Sequence, residues 1–165
     1  MGQDVSKTAE NKQKYVSIPG MIRHWSCGHF IHPRGGSKNP DNDTKLVIHD
    51  AIHSNMTFRF VQFEGPWGYI EHVTSGKVVH PRGGSSDPKS GTVLVLHEAR
   101  HAGALFTFHY DYHLIQHKGG KYIHPKGGSV SPPNDTELVL HEDVHDGMRW
   151  VVVTVNNVET PLYVQ

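Results

Sequence analysis

Five residues, His-Pro-(Arg/Lys)-Gly-Gly, recur three times in this chain, at His32–Gly36, His80–Gly84 and His124–Gly128. Seventeen residues after each first histidine stands another, His49, His97 and His141. Four residues further comes a third, His53, His101 and His145. A fourth precedes the motif by seven or eight residues: His24, His72 and His117. Four positions in three copies account for twelve of the 15 histidines. Recurrence in register marks structural units that must bury their apolar faces against one another.

The copies start 48 and 44 residues apart, a period that also suits propeller blades and helical arrays. Three copies are too few for most propellers. The local pattern argues against helices. Leu46-Val47-Ile48, Val93-Leu94-Val95-Leu96 and Leu138-Val139-Leu140 are apolar or β-branched runs bounded by turn residues. Met56-Thr57-Phe58-Arg59-Phe60 alternates with period two, and its equivalents begin at Ala104 and Met148. The aromatic five residues after each last histidine is Phe58, Phe106 or Trp150, read as core meeting near a pseudo-three-fold axis. Turns are marked at Gly35-Gly36-Ser37, Asn39-Pro40-Asp41-Asn42, Asp87-Pro88-Lys89-Ser90-Gly91 and Pro132-Pro133-Asn134-Asp135. Each copy therefore holds about four short strands. Three four-strand units closing on an axis predict an all-β chain, a β-trefoil, in which closure removes most sheet edges. The expected organisation is a polar, flexible arm over residues 1–14 and one domain over 15–165, with repeats at about 15–64, 65–109 and 110–165. The last strand is expected at Leu162-Tyr163-Val164.

Composition narrows the function. Lys plus Arg and Asp plus Glu each number 16, so no broad basic footprint for nucleic acid is present. One cysteine, Cys27, allows no internal disulfide. No apolar stretch is long enough for a membrane helix. No candidate nucleophile stands with a base and an orienting partner, so the expectation is a binding protein with no cofactor and no enzymatic activity.

The three-copy motifs carry that binding expectation. Paired glycines permit a tight turn and let a ligand approach the backbone, whereas a turn alone needs no histidine. The second cluster reads His49-Asp50-Ala51-Ile52-His53, His97-Glu98-Ala99-Arg100-His101 and His141-Glu142-Asp143-Val144-His145. Two copies match the zinc-protease pattern His-Glu-x-x-His, which requires a helix to place both imidazoles on one face. Here the motif leads from one strand-like run into another, so no metal site is assigned. Neutral imidazoles offer one donor and one acceptor, and a carboxylate accepts hydrogen bonds from hydroxyl groups. This set suits the hydroxyls of a sugar.

The triple His-Pro-(Lys/Arg)-Gly-Gly, the Asn-Asp-Thr-(Lys/Glu)-Leu-Val passages and Trp67-Gly68-Tyr69-Ile70 resemble the mytilectins, a family of mussel lectins. So does Gly120-Lys121-Tyr122-Ile123 running into the third copy. The likeness runs from Tyr15 to the C-terminus. It implies a β-trefoil that binds galactose, N-acetylgalactosamine or globotriose-type glycans. The family uses the first His and a Gly of the loop, with the Asp and last His of an Asp-x-His segment. Carried over, the sugar contacts are His32, Gly35 and His53 in the first copy. They are His80, Gly83 and His101 in the second, and His124, Gly127, Asp143 and His145 in the third. Ala51 and Ala99 replace the Asp in the first two, so the third pocket is expected to be the tightest. Further contacts are sought from His49, His97 and His141 and from the acids Asp50, Glu98 and Glu142, although one step along a strand reverses a side chain.

Two other readings stay open. One is a trefoil interaction module with degenerate sugar sites, acting on a protein partner. The other is a histidine-rich metal-binding protein. The oligomeric state, a dimer included, is not legible. No signal peptide opens the sequence, which suggests a cytoplasmic or non-classically secreted protein, and Met1-Gly2-Gln3-Asp4-Val5-Ser6 fits an N-myristoylation pattern at Gly2. Asn42, Asn55 and Asn134 sit in Asn-x-Thr triplets read as turn or strand chemistry.

Overall fold

The structure is a computed structural model that describes residues 14–156. Gly2, nearly all of the expected arm and the expected strand at Leu162–Val164 lie outside the described residues. Twelve short strands follow one another: β1 Met21–His24, β2 Phe30–Pro33, β3 Thr44–His49, β4 Phe58–Glu64, β5 Trp67–His72, β6 Val78–Pro81, β7 Leu94–His97, β8 Phe106–His109, β9 Leu114–His117, β10 Tyr122–Pro125, β11 Leu138–His141 and β12 Trp150–Val153. Every copy of the repeat contributes four, and all pairing between them is antiparallel.

Six of these strands close a barrel. Extended pairings join successive repeats: β4 with β5, β8 with β9, and β12 back onto β1, where Met21 faces Val153 and His24 faces Trp150. Single contacts close each repeat on itself, Gly20 to Phe58, Gly68 to Phe106, and the Trp150 N–H to the His113 carbonyl at 2.7 Å. The other six strands make the hairpins β2–β3, β6–β7 and β10–β11, which cap one end. Lys45 pairs with Val95, Val93 with Val139 and Glu137 with Val47, so the three hairpins meet in a ring. Equivalent backbone bonds repeat around it: Asp43 N–H to Leu96 (2.8 Å), Gly91 to Leu140 (2.7 Å) and Asp135 to Ile48 (2.8 Å). This is a β-trefoil with pseudo-three-fold symmetry.

The core follows the repeat. Phe58, Phe106 and Trp150 are buried in one cluster with Ile22, Ile48 and Leu96. The Trp150 indole N–H, which burial would otherwise leave costly, donates to the Ile123 carbonyl at 2.9 Å. One boundary differs from the sequence reading. The alternation begins at Phe58 and not at Met56, because Ser54–Met56 forms one turn of 3₁₀ helix, as do Ala102–Ala104 and Asp146–Met148. Each turn is capped by the last histidine of the preceding cluster, whose ring nitrogen satisfies an N–H that helix initiation leaves free.

Candidate functional site

The His-Pro pair ends β2, β6 and β10, and the two glycines turn the chain away from the hairpin. Gly36, Gly84 and Gly128 have φ of 65°, 69° and 67°. A β-carbon at these positions would lie 3.1 Å from the His53 Nε2, 3.1 Å from the His101 Cε1 and 2.8 Å from the His145 Cε1. Glycine thus seats the last histidine against the loop. The glycines before them, Gly35, Gly83 and Gly127, face open space and line the pockets.

Each repeat places three imidazoles at one pocket. Ring centroids of His32 lie 5.4 Å from His49 and 5.1 Å from His53, and the other copies repeat this within 5.1–5.3 Å. Backbone geometry fixes their tautomers. The Nδ1 of His49, His97 and His141 accepts the N–H two residues on, at 3.0, 3.0 and 3.2 Å. The Nδ1 of His53, His101 and His145 does the same at 3.1, 3.0 and 3.1 Å. An accepting Nδ1 leaves the proton on Nε2, so these rings keep one N–H donor for a ligand. The inner rings of His32 and His80 donate from Nε2 to the Ala51 and Ala99 carbonyls at 2.8 and 2.5 Å. His124 is turned, with Nδ1 bonded to the Tyr122 carbonyl at 2.9 Å. Burial pushes the pKa of all three inner rings down, that of His32 to about 4. They stay neutral through the physiological range.

The pocket of the first repeat measures about 200 Å³, the second about 740 Å³ and the third about 270 Å³. Every residue carried over from the lectin resemblance lines its own pocket: His32, Gly35 and His53; His80, Gly83 and His101; His124, Gly127, Asp143 and His145. His49, His97 and His141 line them too. The neighbouring acids do not. The Asp50 and Glu98 backbones bond the side chains of Asn134 and Asn42 at 3.1 and 3.0 Å, and the Glu142 carboxylate accepts from the Ser90 hydroxyl at 2.9 Å. The Glu98 carboxylate accepts from the Asn42 amide at 3.0 Å, so Glu98 and Glu142 turn towards the adjoining repeat. The Asp50 carboxylate instead lies 3.3 Å from the Nδ1 of His49 without lining the pocket. Asn42 and Asn134 thereby tie their own turns to the neighbouring repeat, and Asn55 donates to the Gly36 carbonyl at 3.1 Å. The His-Glu-x-x-His stretches leave a strand and enter a 3₁₀ turn, without the helix a zinc protease requires.

Sequence reasoning missed two carboxylates. Asp135, from the third repeat, lines the first pocket, and Asp43, from the first repeat, lines the second. Both have φ of 70° at the foot of a turn, where Gly91 (φ 91°) is the equivalent beside the third pocket. Every pocket therefore has one carboxylate. It comes from a neighbour where position 51 or 99 is Ala, and from Asp143 where the neighbour supplies Gly.

A closed barrel capped by three hairpins, with one histidine-lined pocket per repeat, defines a trefoil with three equivalent sites. This chain belongs to the MytiLec family: the model of that family, described as alpha-D-galactose-binding lectin, matches residues 20–155. The alpha-D-galactose-binding lectin of Mytilus galloprovincialis is 45% identical over 69 residues, covering 42% of this chain and 36% of that one. The galactose-binding lectin of Mytilus californianus is 51% identical over 49 residues, or 30% and 33% of the two chains. The matched stretches thus span about a third of these relatives' length. Among solved structures, the designed three-fold symmetric protein ThreeFoil superposes with a TM-score of 0.71 at 11% identity, over 82% of this chain and 97% of that one. The C-half of the earthworm R-type lectin, solved with GalNAc, gives 0.62 at 8% identity over 81% and 96%. These likenesses concern the fold.

Proposed function

We propose that this chain is a non-enzymatic, multivalent lectin that holds terminal galactose or N-acetylgalactosamine units, one per repeat. The observation that carries the reading is the threefold recurrence of one chemical set. Each pocket combines two half-exposed imidazoles keeping an Nε2–H, an open glycine turn and a single carboxylate. Imidazole N–H groups donate to hydroxyl oxygens, and the carboxylate accepts from hydroxyl hydrogens through the stronger charge-assisted bond. Globotriose-type glycans, which end in galactose, fall in the same class. The relatives' names point to the same sugar.

Three pockets on one rigid body raise avidity for clustered glycans by roughly 100-fold or more over a single site. A crystal soaked with galactose tests the proposal, because all three pockets are read together. Sugar in the histidine-lined pockets is expected. Pockets that stay empty at saturating galactose, with no galactoside retained on a glycan array, would reject it in favour of a protein-binding trefoil.

A further inference from the structure

The basic residue of the His-Pro-(Arg/Lys)-Gly-Gly motif has a different environment in each repeat. Arg34 is neutralised: its guanidinium lies 3.1 Å from the Glu137 carboxylate, which also holds Lys45 at 2.8 Å. Glu137 reaches Arg34 because β11 crosses β3 at the ring of hairpins, pairing Glu137 with Val47. The same crossing beside the second repeat pairs Val95 with Lys45, and beside the third it pairs Val139 with Val93. The position that offers Arg34 an acid thus offers Arg82 a like charge. Lys45 itself turns to Glu137.

The consequence shows in the pockets. Arg82 lines the second one, whereas neither Arg34 nor Lys126 is among the residues lining the first and third. Its side chain makes no ion pair or hydrogen bond among the described residues. This pocket is also the largest, about 740 Å³ against about 270 and 200 Å³, so it has room beyond one pyranose ring. Asp43 lines it as well and acts electrostatically on His80, which places a hydroxyl acceptor in the same cavity as an uncompensated guanidinium. We infer that the second pocket is specialised for galactosides carrying an anionic substituent, a sulfate or a sialic acid carboxylate, with Arg82 as the residue that selects the anion. Arginine suits both, since its fork of donors matches the paired oxygens of either group.

This inference rests on the galactose reading, and calorimetry with paired ligands separates the two. The probes are galactose against galactose 3-sulfate, and lactose against 3′-sialyllactose. One site of the protein is expected to take an anionic member roughly tenfold or more tighter than its neutral partner. Whichever pair shows the gain identifies the source of the anion. Arg82→Gln is expected to bring that ratio to about one. Lys45→Glu, which rebuilds beside Arg82 the acid that Glu137 offers Arg34, is expected to do the same. Neutral sugars bound without any anionic gain, or a gain that survives Arg82→Gln, would overturn the inference and leave the galactose reading standing. Binding of neither class would overturn both.

Discussion

The Nε2 of His24 lies 2.8 Å from the carbonyl oxygen of Gly147, 123 residues further along the chain. His72 makes the same bond to Asn55 at 2.6 Å, and His117 to Gly103 at 2.8 Å. All three rings are fully buried, and each touches the core aromatic of the preceding repeat: Trp150, Phe58 or Phe106. The carbonyls belong to the 3₁₀ turns capped by His145, His53 and His101. Each of these histidines therefore fastens the turn that follows the preceding repeat's pocket, and His24 completes the circle from first repeat to last. His24→Phe keeps the bulk and removes the donor. A buried carbonyl left unsatisfied costs about 1–3 kcal/mol, and this loss should appear in urea unfolding midpoints. The variant should also weaken sugar binding at the third pocket more than at the others. An unfolding midpoint equal to the parent's would refute the fastening role.

The same burial makes stability depend on pH. His24, His32, His72, His80, His117 and His124 all have pKa values lowered by burial, His32 to about 4. In the unfolded chain they titrate near 6.5, so the unfolded state takes up protons first. Their contribution is complete above 6.5 and is lost as pH falls from there through the folded values. For His32 alone the difference amounts to about 3 kcal/mol by pH 4. Melting temperature should hold level from pH 8 to 7 and drop steeply between 6.5 and 4. Sugar contacts of His32 should persist below pH 6 for as long as the fold does, because its ring remains neutral. A melting temperature unchanged down to pH 4.5 would contradict this account.

Backbone crowding gives a third prediction. A β-carbon on Gly147 would lie 2.0 Å from the Gly128 carbonyl oxygen, and one on Gly103 would lie 2.2 Å from that of Gly84. A backbone oxygen has no rotamer to move, so the loop or the turn must shift. Gly147→Ala should destabilise the protein by about 1–3 kcal/mol and misplace His145, whose Nδ1 accepts the Gly147 N–H. The third site should disappear from a galactose titration while the other two remain. Three sites of unchanged affinity in this variant would show that the loop tolerates the shift.

Much of this architecture was legible in the sequence, because repetition exposes what each unit shares. The strands, the aromatic core at Phe58, Phe106 and Trp150, and the gathering of His32, His53 and Gly35 with their equivalents all follow from residues close together in one repeat. What stayed hidden arises between repeats. Asp135 reads as a turn residue and Asp43 as part of an Asn-Asp-Thr passage into a strand, and only the ring of hairpins carries them into a neighbour's pocket. Asp50, Glu98 and Glu142 look like site acids, but none lines a pocket. Glu98 and Glu142 bond across to Asn42 and Ser90 of a neighbouring repeat, and Asp50 stays against His49. His24, His72 and His117 were visible as a repeated position, but their bonds to a preceding repeat depend on closure of the barrel.

The distribution of carboxylates yields the last prediction. From the sequence, Asp143 made the third pocket look singular. With Asp135 in the first pocket and Asp43 in the second, all three hold one acid, supplied from different directions. Hydrogen bonds to a charged acceptor contribute about 1.5–3 kcal/mol, so losing one should weaken a site by roughly 10- to 150-fold. Asp135→Ala, Asp43→Ala and Asp143→Ala should each remove one site from a calorimetric galactose titration and leave two. The triple variant should show none. Gly91→Asp supplies the opposite test. Nothing lies within 4 Å of a β-carbon there, and the equivalent aspartates already adopt a left-handed φ of 70°. Aspartate tolerates that conformation better than most residues. A second acid beside Asp143 should then tighten the third site alone. If Asp143→Ala by itself abolished all binding, the neighbours' aspartates would be spectators and the third pocket would be the one working site.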